Sequence, residues 1–514
     1  MTETMNKGTS HSRMCLGMAM ACSLLVALLV FLFHSQFAKS NYLVSDSADY
    51  RRAANAPFLQ MYLNTDSASP VQLFQLRHDP SFRAHPWDYL YFSGDNAAIR
   101  HFHTPVSFYA MHVTSLLSSA DASQRLVSSL VTAVTCGAIV LGLFAFGVPL
   151  PVAGMMALAA GLQSRYTEVS VDPSPHSWYM LFAVLFLFAF AYYFNTRRFQ
   201  TLAASAIFLA LAFATLEFSL ELIVSVFLAL IVIWLVNRSA LGDFKILAVS
   251  LGKALLVFCL TTFILWPGGW LRGGYLESYG VTGSTLLFKN KAAFGDRLSV
   301  ADLYDKLFAG HEGLLVLAVF ALIASVILLA RRKLSIVTIV FMSYTLVAFS
   351  LGIADHFRLD TYISEALLFL LITAALLFHD ALTGATTGRQ RLAIAAAVIV
   401  LAATGAQEWE RRPPLRIYQP WLQPILAGIS AEVPVGSTIL INDNWEEYAV
   451  YLPKYYYEPT VSTFDVTPRN AERAKDIRFF LLNDDAPRIP HTTLLRSFVT
   501  NIPGRSVKLY EKAR

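Results

Sequence analysis

Residues Met14–Ala54 read MCLGMAMACSLLVALLVFLFHSQFAKSNYLVSDSADYRRAA. The first half, Met14–Phe33, is a run of about 20 apolar residues, long enough at a helical rise of 1.5 Å per residue to cross the hydrocarbon core of a bilayer. Lys7 and Arg13 precede it as in a secretory signal, but no small-x-small cleavage site follows before Asp46, so the run is read as an uncleaved first span. The second half brings Asp46, Asp49, Tyr50, Arg51 and Arg52 to within about fifteen residues of the span's end. Two carboxylates are thereby held near the membrane surface, the placement an enzyme with a membrane-bound substrate needs.

The whole chain agrees with a membrane setting. Of its 514 residues 55% are hydrophobic and 15% charged, and the mean hydropathy is +0.50. That is more apolar side chain than one soluble core could bury, so the surplus must face lipid. After Met14–Phe33, apolar segments run over Leu126–Phe146, Leu150–Leu162, Trp178–Phe194, Thr201–Leu216, Leu220–Val236, Ile246–Trp266, Leu314–Ala330, Leu334–Leu351, Ile363–Phe378 and Leu392–Ala403. The expected fold is a polytopic α-helical membrane protein of about 11 transmembrane helices. The formal charge of +5 does not point to nucleic acid, because the Lys and Arg residues are scattered in short loops and form no basic face interleaved with aromatics. Cys15, Cys22, Cys136 and Cys259 all fall inside apolar spans, which argues against disulfides and Cys-ligated metal.

Thr104–Leu117 is apolar but short, and Pro105, Ser107, His112 and Thr114 interrupt it. If it does not cross, the loops with Arg197-Arg198, Arg238 and Lys245, Arg331-Arg332-Lys333, and Arg389 and Arg391 share the side of Lys7 and Arg13; if it crosses, all of them flip outward. The segment is therefore read as an interfacial helix. A large first extracytoplasmic loop (about 34–124) results, with Gln163–Ser177, the turn near Glu217, Pro267–Gly313 and Gly352–Tyr362 on the same outer face. Residues 1–407 form the membrane module, and 408–514 a linker, marked by Arg411-Arg412-Pro413-Pro414, and a small C-terminal α/β domain. Strands are expected at Ser437–Ile441, Val461–Phe464, Ile477–Leu482 and Ser506–Tyr510, with helices at Trp445–Leu452 and Arg469–Asp476.

Four segments carry a family resemblance. Asp46-x-x-x-Tyr50-x-x-x-Ala54 just after the first span resembles the D-x-x-x-Y-x-x-x-A signature of the GT-C glycosyltransferases, which include aminoarabinose transferases and protein O-mannosyltransferases. His103-Thr104-Pro105-Val106 with Tyr109 is similar to their H-P-P-L-x-x-Y helix, Ser164-Arg165-Tyr166 followed by Asp172-Pro173 to their S-R-x-x-x-x-D loop, and His356-Phe357-Arg358 to their H-P-x-R-Y. Thr104 stands where the family has its first proline. Asp172 lies seven residues after Arg165 rather than the five of protein O-mannosyltransferases, and Glu168 is an equal candidate for its role. The resemblance implies a donor sugar on a polyprenyl phosphate or diphosphate, transferred on the non-cytoplasmic face to a glycan, lipid or protein acceptor, with Tyr50, His103, Arg165, Asp172 and Arg358 as substrate-binding residues.

The residues can also be weighed by their chemistry. A lipid-linked sugar has a phosphate leaving group that needs cations, and an acceptor hydroxyl that needs a base. Asp46 and Asp49 are the catalytic candidates: Asp46 as general base, Asp49 as the more structural of the two, paired with Arg52 or headgroups. The plainer alternative is that both cap an interfacial helix running through Tyr62. Pro267-Gly-Gly-Trp270-Leu-Arg272-Gly-Gly-Tyr275, with Lys289, Lys291 and Arg297 beyond, suits a phosphate through bare N–H groups and Arg272, or an interfacial anchor through its tryptophans. Glu217 and Glu221 sit at an outer turn, as expensive buried carboxylates or as solvated ones. His78, His85, His101 and His103 leave a divalent metal open as a cofactor, but no H-x-x-x-H helix or Cys partner fixes a site, and none is assigned.

The expected function is an integral membrane glycosyltransferase. Compact loops and the lack of a retention signal favour the bacterial inner membrane, with the site facing the periplasm or outside. Two other classes stand beside it: a polytopic transporter or flippase of glycolipid, which would need broken spans at the midplane and inverted repeats, and an assembly protein that displays its tail, which needs no acidic loop.

Overall fold

The computed structural model of the protein describes residues 2–38, 51, 54, 57–63, 104–118, 121–171, 173–276, 278–279, 300–354, 360–411, 422–441, 448, 451–452, 454–459, 477–483, 491–499 and 506–512. Every apolar segment expected to span forms a helix, and among the described residues eight helices are long and apolar enough to cross a membrane: Met14–Ser35, Asp121–Ala145, Pro175–Thr196, Ser219–Val236, Phe244–Leu265, Glu312–Ala330, Ile363–Leu382 and Thr387–Glu410. Their outward faces are apolar: Leu24, Leu28, Leu256 and Leu322 are each more than half exposed, which water would not tolerate over such an area and lipid does. Helix ends follow local sequence. Pro175 opens one helix, where its missing N–H is no loss, and Asp243 caps another by accepting the Lys245 N–H at 2.7 Å.

Shorter helices fill the remaining segments. Leu150–Gly161, at 12 residues, is about 18 Å long and falls short of the roughly 30 Å core. Its expected reading as a full span is corrected in that respect: the helix breaks at Leu162–Gln163 and a second piece, Ser164–Val171, follows. The bundle closes tightly around it. A Cβ on Gly161 would lie 2.5 Å from Val30 Cγ2, so only a glycine lets the first helix approach this one.

Side-chain contacts sort the helix ends into two sets. At one end His34 meets the Gly161 carbonyl at 2.7 Å, Tyr62 donates to Ile264 O at 2.9 Å and Glu408 meets Ser164. At the other end Arg197 donates to the carbonyls of Leu241 and Ala240, and Asp380 accepts the Ser335 N–H at 2.8 Å. The loops that hold Arg197-Arg198, Arg238 with Lys245, Arg331-Arg332-Lys333 and Arg389 belong to this second end.

Val106–Leu117 never leaves the first end. Val106 N–H donates to Ala214 O at 3.0 Å, Tyr109 Oη to Leu265 O at 3.1 Å, and the Gln124 amide returns to Met111 O at 2.9 Å. All three partners lie at that end, so the helix lies across it, as the charge pattern required. Phe58–Leu63 lies beside it, with Ala54, Met61, Phe108 and Met111 as their shared apolar seam.

After Glu410 the chain forms the helix Leu422–Glu432 and a five-stranded sheet: β1 Thr438–Ile441, β2 Tyr456–Pro459, β3 Phe479–Asn483, β4 Thr492–Val499 and β5 Ser506–Lys512, in the order β2-β1-β3-β5-β4. The first three pair parallel and β5 pairs antiparallel with both β3 and β4. Period-two alternation divides the strands: Ile439, Ile441, Phe479, Leu481, Val507 and Leu509 face the helix, while Leu440, Phe480 and Leu482 face the other way. The second strand is at Tyr456–Pro459. The elements expected at 461–464 and 469–476, and most of 445–452, lie outside the described residues, and β4 is a strand beyond those expected.

Candidate functional site

Of the residues singled out from sequence, Arg165 and Arg272 are described; Asp46, Asp49, Tyr50, His103, Asp172 and Arg358 lie outside the described residues, as do Lys289, Lys291 and Arg297 and the loop histidines His78, His85 and His101. Their described neighbours define the setting. Arg51, next to Tyr50, pairs with Asp121 at the start of the helix Asp121–Ala145. Asp121 is 7% exposed and also accepts Tyr451 Oη of the tail at 2.7 Å. Burial pushes the Arg51 pKa below its ordinary value, yet a guanidinium remains charged, so this is an ion pair inside protein. One carboxylate thus joins the first loop, the bundle and the tail.

Thr104, where the resembled motif has proline, is fully buried and its hydroxyl donates to Phe213 O at 3.2 Å. The polar substitution serves as an anchor for the helix that follows. That helix stacks its aromatics on Phe58–Leu63: Phe58 and Tyr109 have ring centroids 5.0 Å apart.

The run after Trp266 differs from the expected phosphate loop. Pro267–Leu271 is a short helix in which Gly269 N–H goes to Trp266 O and Arg272 N–H to Gly268 O, so those groups are already used. Trp266 is buried and its indole N–H donates to Met61 O at 3.0 Å, whereas Trp270 is half exposed, so one of the two tryptophans fits the interfacial reading. A Cβ on Gly269 would lie 2.5 Å from the Trp266 ring, which explains a glycine there by packing. Arg272 itself is exposed at this end of the bundle.

Arg165 is half-buried, one residue into the helix Ser164–Val171. Glu408 Oε2 accepts the Ser164 N–H at 3.0 Å and its hydroxyl at 3.1 Å, and Glu408 Oε1 lies 2.5 Å from His311 Nδ1. Farther along, Ser170 Oγ lies 2.6 Å from His34 Nδ1. The Gly161 carbonyl can only accept, so His34 Nε2 carries its proton and, in the neutral ring, Nδ1 takes the Ser170 hydroxyl. The Arg165 helix packs on Asp360–Leu382, which begins just after Arg358, whereas the short helix ending before Arg272 packs on Phe58–Leu63 and Phe244–Leu265. The two arginines therefore stand in different neighbourhoods of one end.

Glu217 and Glu221 are 5% and 8% exposed, which excludes the solvated reading. Tyr279 packs at the same turn: its hydroxyl donates to Phe213 O at 2.7 Å and meets Ser219 Oγ at 2.7 Å. Burial, and then the Glu217 charge, push that phenol well above its ordinary pKa. Sequence reasoning missed Glu365, which is buried on Asp360–Leu382, accepts the Tyr344 hydroxyl, and interacts electrostatically with Glu221. Tyr179 Oη completes this chain, 2.8 Å from Tyr344 Oη. Sequence reasoning also missed Glu408. Glu365 carried a signal, a carboxylate within an otherwise apolar span, whereas Glu408, between Gln407 and Glu410 past the end of the apolar run, carried none. Among the described residues no group of three or more His, Cys, Asp or Glu side chains is arranged to hold a metal ion.

No protein-family model matches the chain, and no curated protein sequence does. Among solved structures the chain is similar to the crystal structure of ArnT from Cupriavidus metallidurans bound to undecaprenyl phosphate, at 14% identity and a TM-score of 0.42, with 95% of this chain and 97% of that chain covered. At that identity and score the likeness assigns neither an activity nor a ligand.

Proposed function

We propose that this chain is a membrane glycosyltransferase that takes a sugar from a polyprenyl-phosphate donor and passes it to a glycan, lipid or protein acceptor on the non-cytoplasmic face. The observation that carries the reading is the convergence of the motif-bearing segments. Arg51, Thr104 to Tyr109, and Ser164-Arg165 all lie at the end of the bundle opposite the Arg and Lys clusters. The positive-inside rule assigns the clustered end to the cytoplasm.

The chemistry asked of this end is a displacement at the anomeric carbon. The acceptor oxygen attacks, its proton passes to the Asp46 carboxylate, and the bond to the phosphate oxygen breaks with the electron pair leaving on phosphate; direct attack inverts the centre. Arg358 and Arg272 supply charge to the departing phosphate, and Arg forks can hold two of its oxygens at once. Tyr50, His103, Arg165 and Asp172 orient the donor. Asp49, paired with Arg52 or headgroups, holds the segment. A transporter would place its broken helix at the midplane. The break at Leu162–Gln163 instead sits level with the ends of the first and last long helices, at His34 and Glu408.

The test is a transfer assay with purified, detergent-solubilised protein and polyprenyl-phosphate donors carrying radiolabelled hexose or pentose. Release of the sugar from the lipid in wild type, abolished in Asp46→Asn, is the expected result. Movement of labelled lipid across liposomes without cleavage would replace the proposal with a flippase.

A further inference from the structure

The Arg165 helix is fastened by residues far away in sequence. At its amino end Glu408, fully buried on the last long helix, holds both the Ser164 N–H and the Ser164 hydroxyl, and is itself held by His311 from the start of Glu312–Ala330. Near its carboxyl end Ser170 is tied to His34 on the first helix. Gln163 O adds a turn inside the helix by accepting Thr167 N–H at 2.9 Å. A helix amino terminus is ordinarily a good place for an anion. Here a carboxylate of the chain already occupies it, so a donor phosphate has to be met by side chains, and Arg165 is the next residue along.

We infer that Glu408 is a positioning residue: by seating Ser164 it sets where the Arg165 guanidinium stands. The inference rests on the proposed function for what Arg165 binds. Its physical content is that Ser164 and Arg165 are adjacent, so a shift of the helix start moves the Arg165 Cα with it, and displacements of about 1 Å already spoil substrate positioning. Removing the carboxylate would also leave Ser164 N–H and His311 Nδ1 without their buried acceptor. A glutamine could keep its oxygen on Ser164 and turn its amide toward His311, preserving the seat without the charge.

The experiment measures binding of undecaprenyl phosphate to the full-length chain in detergent, by tryptophan fluorescence titration, for wild type, Arg165→Gln, Glu408→Ala, Glu408→Gln and the double variant Glu408→Ala/Arg165→Gln. Arg165→Gln and Glu408→Ala are each expected to weaken binding about tenfold or more. Glu408→Gln should stay within about threefold of wild type, and the double variant should bind no worse than Arg165→Gln, because Glu408 acts through Arg165. A merely structural role would add a second loss in the double variant, and that result overturns the inference, as does wild-type binding by Glu408→Ala beside a weakened Arg165→Gln. Wild-type binding by Arg165→Gln would instead remove the assigned role of Arg165 and the inference with it. If Glu408→Ala fails to fold, as judged by size-exclusion chromatography, Glu408→Asp retracts the carboxylate by one methylene and carries the same comparison.

Discussion

At the level of single residues, two aspartates three positions apart are asked to play unequal parts. Asp46→Asn keeps the shape of the side chain and removes proton acceptance, so sugar transfer should fall about a hundredfold or more, while Asp49→Asn should cost far less; equal losses in the transfer assay would refute the division. The buried tyrosine chain gives a second prediction, on stability. Tyr344→Phe deletes the hydroxyl that Glu365 accepts and that Tyr179 meets, leaving buried polar atoms short of a partner, so unfolding in detergent should show a loss of about 1–3 kcal/mol. An unchanged transition would mean that Glu365 draws nothing from Tyr344. Glu365 and Glu408 also mark what was legible at this scale. Glu365 is one carboxylate inside an apolar run, visible to anyone who asks why it is tolerated, whereas Glu408 stands beside Gln407 and Glu410 past the end of its apolar run and looks like an ordinary linker residue. What each one grips was not visible, because Ser164 is 244 positions from Glu408 and no local pattern links them.

At the level of elements, helix existence followed from apolar length, and each expected span found its helix. The exceptions have local causes. Leu150–Gly161 is shorter than a span because the helix stops at Leu162–Gln163 and a new one starts, with the Gln163 carbonyl receiving the Thr167 N–H. Strand β4 leaves little trace in the sequence because it is an edge strand with only Phe498 buried, so Thr492–Val499 shows little apolar alternation and owes its conformation to pairing with β5. The glycine run after Trp266 looked like a flexible loop, but its aromatics close over it and wind it into a helical turn. Helix contact yields the prediction here. A methyl group on Gly161 would collide with Val30, so Gly161→Ala should push the first helix outward and lower stability by about 1–3 kcal/mol. Thermal unfolding in detergent measures it, and a truncating partner change, Val30→Ala, should recover part of the loss; no loss in Gly161→Ala would show that the two helices are not held at this distance.

For the molecule as a whole, the decisive choice was whether Thr104–Leu117 crosses the bilayer, since every loop beyond it changes side with the answer. The contacts of that helix with Ala214, Leu265 and Gln124 leave it at one end. The Tyr451–Asp121 hydrogen bond brings the tail to the same end. The charge asymmetry relates the two ends to compartments, with Arg197, Arg238, Arg331 and Arg389 gathered at the far end. Single cysteines introduced into a chain cleared of its four native ones therefore provide a direct measurement in intact cells. Ser239→Cys and Gly388→Cys, both exposed at the cationic end, should react only with membrane-permeant thiol reagents. Val435→Cys, 68% exposed in the tail, should react with impermeant ones. Reversed labelling at all three positions would leave the helix packing intact and turn the molecule over, placing the motif-bearing end in the cytoplasm and ending the case for transfer on the outer face. Mixed labelling, with Val435→Cys and Gly388→Cys on one side, would contradict the packing itself, because Thr387–Glu410 separates them and is long enough to cross.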